Sequence, residues 1–185
     1  MTVAAVILAA GGGERWDKQG HKLLAKLNGK PVVSWAINSA VEAQLDELIV
    51  ITGSVDLSDL VPNEATLLHN DNWESGQSSS LIVASNWAKE KGHDAVVVGL
   101  GDMPGVSKEA WISVAECPDH LVIATFDGER RPPTKISSEF FEYLPIEGDV
   151  GARPLLNGSN YKVTEIVCIG NGNDIDTFED LEQWS

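Results

Sequence analysis

The sequence predicts an α/β sandwich built on a mostly parallel sheet. Three observations predict it. Val3–Ala9 is apolar at every position, as a strand covered on both faces requires. Further short apolar runs alternate along the chain with segments of helical periodicity. The two loops that look most chemical each follow the end of an apolar run, where open α/β sheets hold their ligands.

The elements follow in order. Val3–Ala9 opens the sheet and leads into a Gly-rich loop. Pro31 starts a helix with Val33, Ala36, Ile37, Ala40 and Val41 on one face. Glu47–Thr52 and the shorter Thr66–His69 are the next strands. Leu81–Lys91 reads as a helix with Leu81, Ala84 and Ala88 inward. Ala95–Leu100 is a strand, Lys108–Glu116 a helix and Leu121–Thr125 a strand. The last third is less regular, with a strand near Lys162–Val167. Thr177 and Asp180 form a capping-box-like pair that starts a final helix. No repeat, low-complexity tract or linker interrupts the pattern, so residues 1–185 are read as one domain.

Bulk properties exclude several functions. The formal net charge of −15 argues against nucleic-acid binding, which needs a basic face. No apolar run approaches the roughly 18 residues of a membrane span. Val3–Ala10 lacks a basic flank and reads as a buried strand rather than a signal peptide, so the expected location is cytoplasmic. Cys117 and Cys168 lie far apart and read as two small buried thiols rather than a disulfide or a zinc site. Asn157-Gly158-Ser159 matches a glycosylation sequon, incidental without a secretion signal. The basic residues, by contrast, are clustered. Arg15, Lys18, Lys22, Lys26 and Lys30 form one group, and Arg130, Arg131, Lys135 and Arg153 a second. Two local basic patches on an acidic protein suit small anionic ligands.

The chemistry-bearing motifs agree with that. Ala9-Ala10-Gly11-Gly12-Gly13-Glu14-Arg15 follows the first strand, and its glycines let backbone N–H groups face a phosphate. A dinucleotide fingerprint would need Gly where Trp16 stands, and a Walker A loop is broken by Pro31 after Gly29-Lys30. Gly101-Asp102-Met103-Pro104 follows the strand Ala95–Leu100, and Asp102 there is a natural Mg²⁺ ligand. Asp174-Ile175-Asp176-Thr177 offers further carboxylates. Gly76-Gln77-Ser78-Ser79-Ser80 precedes a helix and offers an anion or nucleobase site at its N-terminus. Each motif alone also fits a plain turn or cap.

Taken together, the motifs resemble the NTP transferase family that includes molybdenum cofactor guanylyltransferases and cytidylyltransferases. The resemblance rests on Leu8-Ala9-Ala10-Gly11…Gly13…Arg15, Lys22-Leu23-Leu24, Gly29-Lys30-Pro31 and Trp73…Gly76…Ser79-Ser80-Leu81. It continues through Gly101-Asp102-Met103-Pro104, Gly148-Asp149-Val150-Gly151-Ala152-Arg153 and Asp174-Ile175-Asp176-Thr177…Glu179-Asp180-Leu181. Ala9-Ala10-Gly11 and Gly148–Arg153 are more similar to the cytidylyltransferase branch. The resemblance implies a Rossmann-like three-layer sandwich of the nucleotide-diphospho-sugar transferase type. It implies nucleotide contacts from Leu8, Ala9, Ala10, Gly11, Gly12, Gly13, Ser79, Ser80 and Gly101, with Arg15 and Lys22 on the phosphates. It implies Mg²⁺ on Asp102, with Asp176, or failing that Asp174, as the second contact. Asp17 replaces a Gly frequent in relatives, and Arg131-Pro132-Pro133 replaces Gly-His-Pro.

The expected reaction is in-line attack by an acceptor phosphate oxygen on the α-phosphorus of a nucleoside triphosphate, with pyrophosphate leaving. Arg15, Lys22 and Asp102 would be the catalytic residues, and Arg131 and Arg153 would grip the anionic acceptor. His21, His69, His93 and His120 read as surface or structural, and an ionised phosphate needs no base. A molybdoenzyme would be the partner receiving the product. Two alternatives stay open: transfer from another NTP to a sugar phosphate or similar acceptor, and a non-catalytic nucleotide or cofactor carrier.

Overall fold

A computed structural model describes residues 1–158 and 160–184. Ser159 of the sequon lies outside the described residues. The elements are β1 (Val3–Ala9), β2 (Lys26–Leu27), β3 (Lys30–Pro31), α1 (Val32–Glu42), β4 (Glu47–Thr52), β5 (Thr66–His69) and α2 (Gln77–Lys91). They continue with β6 (Ala95–Leu100), α3 (Lys108–Glu116), β7 (Leu121–Phe126), β8 (Glu129–Ser137), α4 (Arg153–Asn157), β9 (Thr164–Val167) and α5 (Phe178–Trp184).

The main sheet has seven strands in the order β5-β4-β1-β6-β8-β7-β9. All pairings are parallel except those of β8, which runs antiparallel to both β6 and β7. Strand side chains alternate between two helical layers. Ala5, Ile7, Val50 and Val97 face α1 and α3, whereas Val6, Leu8, Ile51 and Val98 face α2 and Leu155 of α4. This is the expected three-layer sandwich, and the fully apolar β1 lies inside its sheet between β4 and β6.

The helix Gln77–Lys91 begins four residues before the expected start, so Ser78, Ser79 and Ser80 lie inside its first turn. It ends at Gly92, whose φ of 77° gives the left-handed cap a side chain would resist. The strand β8 does not stand out in the sequence. Arg131-Pro132-Pro133 reads as a loop because prolines cannot donate to a ladder. The register between β7 and β8 slips between Ile123 and Ala124, which leaves both prolines out of the pairing. Asp127-Gly128 (φ 50° and 83°) makes the tight turn of this hairpin, and that dipeptide is its one signal in the sequence. The strand at the far edge is shorter than expected, Thr164–Val167. No helix among the described residues is long and apolar enough to cross a membrane.

Candidate active site

The site forms beyond the C-terminal ends of β1 and β6. A cleft of about 720 Å³ is lined there by Leu8, the loop Ala9–Arg15, Lys22, Trp73, Ser80, Asp102, Asp174 and Asp176, among others. A neighbouring cavity of about 390 Å³ has an apolar floor that includes Leu81, Val98, Ile123 and Leu156, and a rim carrying Arg130, Arg131 and Arg153. Leu8, Gln77, Leu100, Arg153 and Asp174 line both.

The loop is held from outside the cleft. Ser54 Oγ donates to Gly11 O at 2.7 Å, and His21 Nε2 lies 3.0 Å from the same oxygen. His21 Nδ1 accepts from Leu23 N at 3.2 Å, which leaves the proton on Nε2 to donate. Burial and the adjacent Lys22 charge push the His21 pKa below its ordinary value, so the ring is neutral in this role. Its structural reading holds. Among the described residues, no acceptor takes the N–H groups of Gly11, Gly12 or Gly13, which leaves three backbone donors for a ligand. Gly13 has φ 66°, a conformation that favours glycine. A Cβ on Gly12 would meet the Trp73 ring at 2.9 Å, so the loop is pressed against that indole.

The charged side chains form one network. Lys22 Nζ donates to Asp102 Oδ2 at 2.6 Å and to Asp176 Oδ1 at 2.8 Å. Arg15 Nη2 lies 2.5 Å from Asp176 Oδ2. Burial would lower the Lys22 pKa, but Asp102 and Asp176 outweigh it and hold the ammonium above its ordinary value. Burial, reinforced by the charges of Asp176 and Asp102, pushes the Asp174 carboxyl up. Ile175 N donates to Asp102 O at 2.9 Å, which ties the C-terminal carboxylates to the turn after β6. Among the described residues, no three His, Cys, Asp or Glu side chains form a ready metal cage, because Lys22 bridges two of the expected ligands. Asp102 Oδ1 nevertheless is buried without a hydrogen-bond partner. A buried, unpaired carboxylate oxygen fits a hard cation such as Mg²⁺.

Several expectations need correction. Ser79 faces away from the cleft: its Oγ donates to Gly76 O at 2.8 Å and accepts from Asn70 Nδ2 at 2.8 Å. Ser80 does line the cleft, although its Oγ also accepts from Asn70. Gly101 lines neither cavity. A Cβ there would lie 3.0 Å from the Ala9 Cβ and 3.2 Å from Val33, so this glycine serves packing. The N-terminus of α2 is not a vacant anion site, because Asp149 Oδ1 accepts from Gln77 N at 3.2 Å. The second basic group divides as well. Arg130 is held by Glu165 and Leu156 O, Arg131 by Glu129, and Lys135 is fully buried with Nζ donating to Ala115 O and Cys117 O. In the first group, Lys18 and Lys30 sit over Phe178 and Trp35 instead of facing the cleft. Gln77 and Asp149 are cleft residues that sequence reasoning did not single out as ligand contacts.

The chain is similar to known proteins over most of its length. Residues 5–164 match the model of the MobA-like NTP transferase domain. The chain belongs to this family. Bifunctional protein GlmU of Cutibacterium acnes is 30% identical over 112 residues, covering 57% of this chain and 26% of that protein. The chain spans about a quarter of the length of the curated relatives it matches. Rv0371c of Mycobacterium tuberculosis H37Rv superposes with a TM-score of 0.86 at 22% identity, over 99% of this chain and 96% of that one. The same protein complexed with manganese gives 0.83 at 21% identity, over 100% and 98% of the two chains. Mth528, a nucleotidyl transferase from Methanothermobacter thermautotroptrophicus, gives 0.84 at 21% identity, over 98% and 95%. These structures share the fold.

Proposed function

We propose that this chain is a Mg²⁺-dependent nucleotidyltransferase that moves CMP from CTP to the phosphate of a molybdopterin-type cofactor and releases pyrophosphate. The observation that carries the reading is the pair of contiguous cavities, one with free loop N–H groups and Asp102, the other apolar-floored and arginine-rimmed. A triphosphate in the larger cleft and a phosphorylated ring compound in the smaller one would meet at their shared wall. The cytidylyl preference rests on Ala9-Ala10-Gly11 and Gly148–Arg153, the segments most similar to that branch.

The residues divide the work as follows. The N–H groups of Gly11, Gly12 and Gly13 bind phosphate oxygens. Arg15 and Lys22 exchange their aspartate partners for the leaving pyrophosphate. Asp102 holds Mg²⁺ through its free oxygen, with Asp176 or Asp174 as the second contact. The chemistry a bound Mg²⁺ supplies is neutralisation of phosphate charge. The manganese complex of Rv0371c, which shares the fold, supports a divalent cation here. Arg131 and Arg153 face the acceptor side. The location expected for such an enzyme is the cytoplasm, with a molybdoenzyme as the recipient of its product.

A second reading keeps the reaction and changes the acceptor to a sugar phosphate or similar metabolite. Gln77, Thr134 and Asn157 in the smaller cavity offer hydrogen bonds to hydroxyl groups. The third reading, a carrier that binds nucleotide without turning it over, uses the same cleft and differs in releasing no pyrophosphate. The test is Asp102→Ala. Metal-dependent pyrophosphate release should fall by ~100-fold or more with the fold intact. Near-normal release would remove Asp102 from the metal and the reading from this site.

A further inference from the structure

Five side chains line both cavities, and one of them is cationic: Arg153. Every other Lys or Arg at the two cavities is already engaged. Lys22 and Arg15 pair with aspartates, Arg130 with Glu165 and Arg131 with Glu129. Among the described residues, Arg153 is the cation at either cavity that forms no ion pair or side-chain hydrogen bond. It is exposed, so no burial constraint explains its position.

Its mount is rigid. The segment before it, Gly148–Gly151, is clamped to the start of α2 by four hydrogen bonds. Gly148 N donates to Ser75 O at 2.7 Å and Ser78 N to Gly148 O at 2.9 Å. Gly151 N donates to Ser78 Oγ at 3.1 Å and Gln77 N to Asp149 Oδ1 at 3.2 Å. Gly76 permits this contact, since a Cβ there would lie 2.4 Å from the Gly148 carbonyl carbon. Arg153 N then donates to Val150 O at 3.0 Å as α4 begins. The strap fixes the backbone from which the Arg153 side chain reaches the shared wall, and its guanidinium has no protein partner among the described residues to give up when it binds an anion.

We infer that Arg153 is a catalytic residue that binds the phosphoryl group in transfer, beyond the acceptor grip the sequence suggests. The inference rests on the nucleotidyl-transfer reading. In that step an acceptor phosphate oxygen forms a new bond to the α-phosphorus. The bond from the α-phosphorus to the bridging oxygen breaks, and pyrophosphate departs with the electron pair. Nothing is oxidised or reduced, and the ionised acceptor gives up no proton. With triphosphate in the larger cavity and acceptor in the smaller, the non-bridging α-oxygens would come to the wall the two cavities share, which Arg153 lines. Arg15 and Lys22, tied to Asp102 and Asp176, line only the larger cleft.

The test compares wild type with Arg153→Ala and Arg153→Lys in kinetics and in binding. Pyrophosphate release should lose ~100-fold in kcat in the Ala variant, with KM for triphosphate rising no more than ~10-fold and KM for the acceptor moving less than about threefold. The Lys variant should fall between, because an ammonium keeps the charge and loses the planar fork. By calorimetry with Mg²⁺, CMP should bind the Ala variant ~10-fold more weakly, while inorganic pyrophosphate binds both alike. Unchanged kcat and CMP affinity in the Ala variant would overturn the assignment while leaving the nucleotidyltransferase reading in place. A loss confined to acceptor KM would return Arg153 to the acceptor grip. Wild type that binds neither CMP nor pyrophosphate and releases none from any triphosphate would overturn the underlying reading, and the inference with it.

Discussion

At the residue scale, the site is neutralised by its own side chains. Lys22 and Arg15, the cations suited to phosphate, are joined to Asp102 and Asp176, the carboxylates suited to metal. Under the proposed function, entry of a metal triphosphate would exchange partners on both sides: Asp102 and Asp176 would hold the cation, and Lys22 and Arg15 would bind the phosphates. Asp174 has no such cation and is pushed up by burial and by its two acidic neighbours. An acid whose folded pKa exceeds its ordinary 3.8 costs stability above the folded value and none below 3.8. In metal-free protein, Asp174→Asn should therefore raise the melting temperature at neutral pH, with the gain shrinking as pH falls toward 3.8. A pH series of thermal melts checks this, and a gain that persists unchanged in acid would contradict it. Arg15, Lys22, Asp102 and Asp176 were legible because charged residues in loops beyond apolar strands stand where α/β sheets hold their ligands. Their pairing with one another was not, since 80 residues separate Lys22 from Asp102.

At the scale of elements, local chemistry was legible where it depends on neighbours in sequence. The Thr177–Asp180 capping box forms as expected: Asp180 N donates to Thr177 Oγ1 at 3.2 Å, and Thr177 N to Asp180 Oδ2 at 2.7 Å. These bonds hold the Asp180 carboxyl below its ordinary value. Helix α5 packs Leu181 against Leu27, Val32 and Ile175, so the cap also fixes the segment that carries Asp174 and Asp176. Thr177→Ala should cost ~1 kcal/mol, or a drop of about 2–4 °C in melting temperature. A thermal melt within 0.5 °C of wild type, a limit set at about the precision of the method, would show the cap to be idle. The strap Gly148–Gly151 was visible only as a resemblance, because its function is to clamp a helix more than 70 positions away. Ser79 was misplaced for a related reason. A serine before a helical pattern looks like a cap, and only the structure shows Asn70 occupying its oxygen.

At the scale of the whole molecule, the parallel sheet was legible because its central strands are buried on both faces and read as unbroken apolar runs. The antiparallel β8 was not, since its prolines and arginines carry a loop's composition; a bulge and a two-residue turn make the strand possible. That strand decides the site, for it places Arg130, Arg131 and Thr134 along the smaller cavity. Against a net charge of −15, Arg15, Lys22, Arg130, Arg131 and Arg153 line the two cavities, an arrangement suited to small anions rather than polyanions. By the proposed function, these cavities bring a triphosphate and a phosphorylated acceptor into reaction. The direct measurement is pyrophosphate release from CTP, GTP, ATP and UTP with Mg²⁺, each with and without molybdopterin-type cofactor. Release should depend on the cofactor and be fastest with CTP. Nucleotide binding without release, whether the acceptor offered is that cofactor or a sugar phosphate, would contradict the claim and favour a carrier.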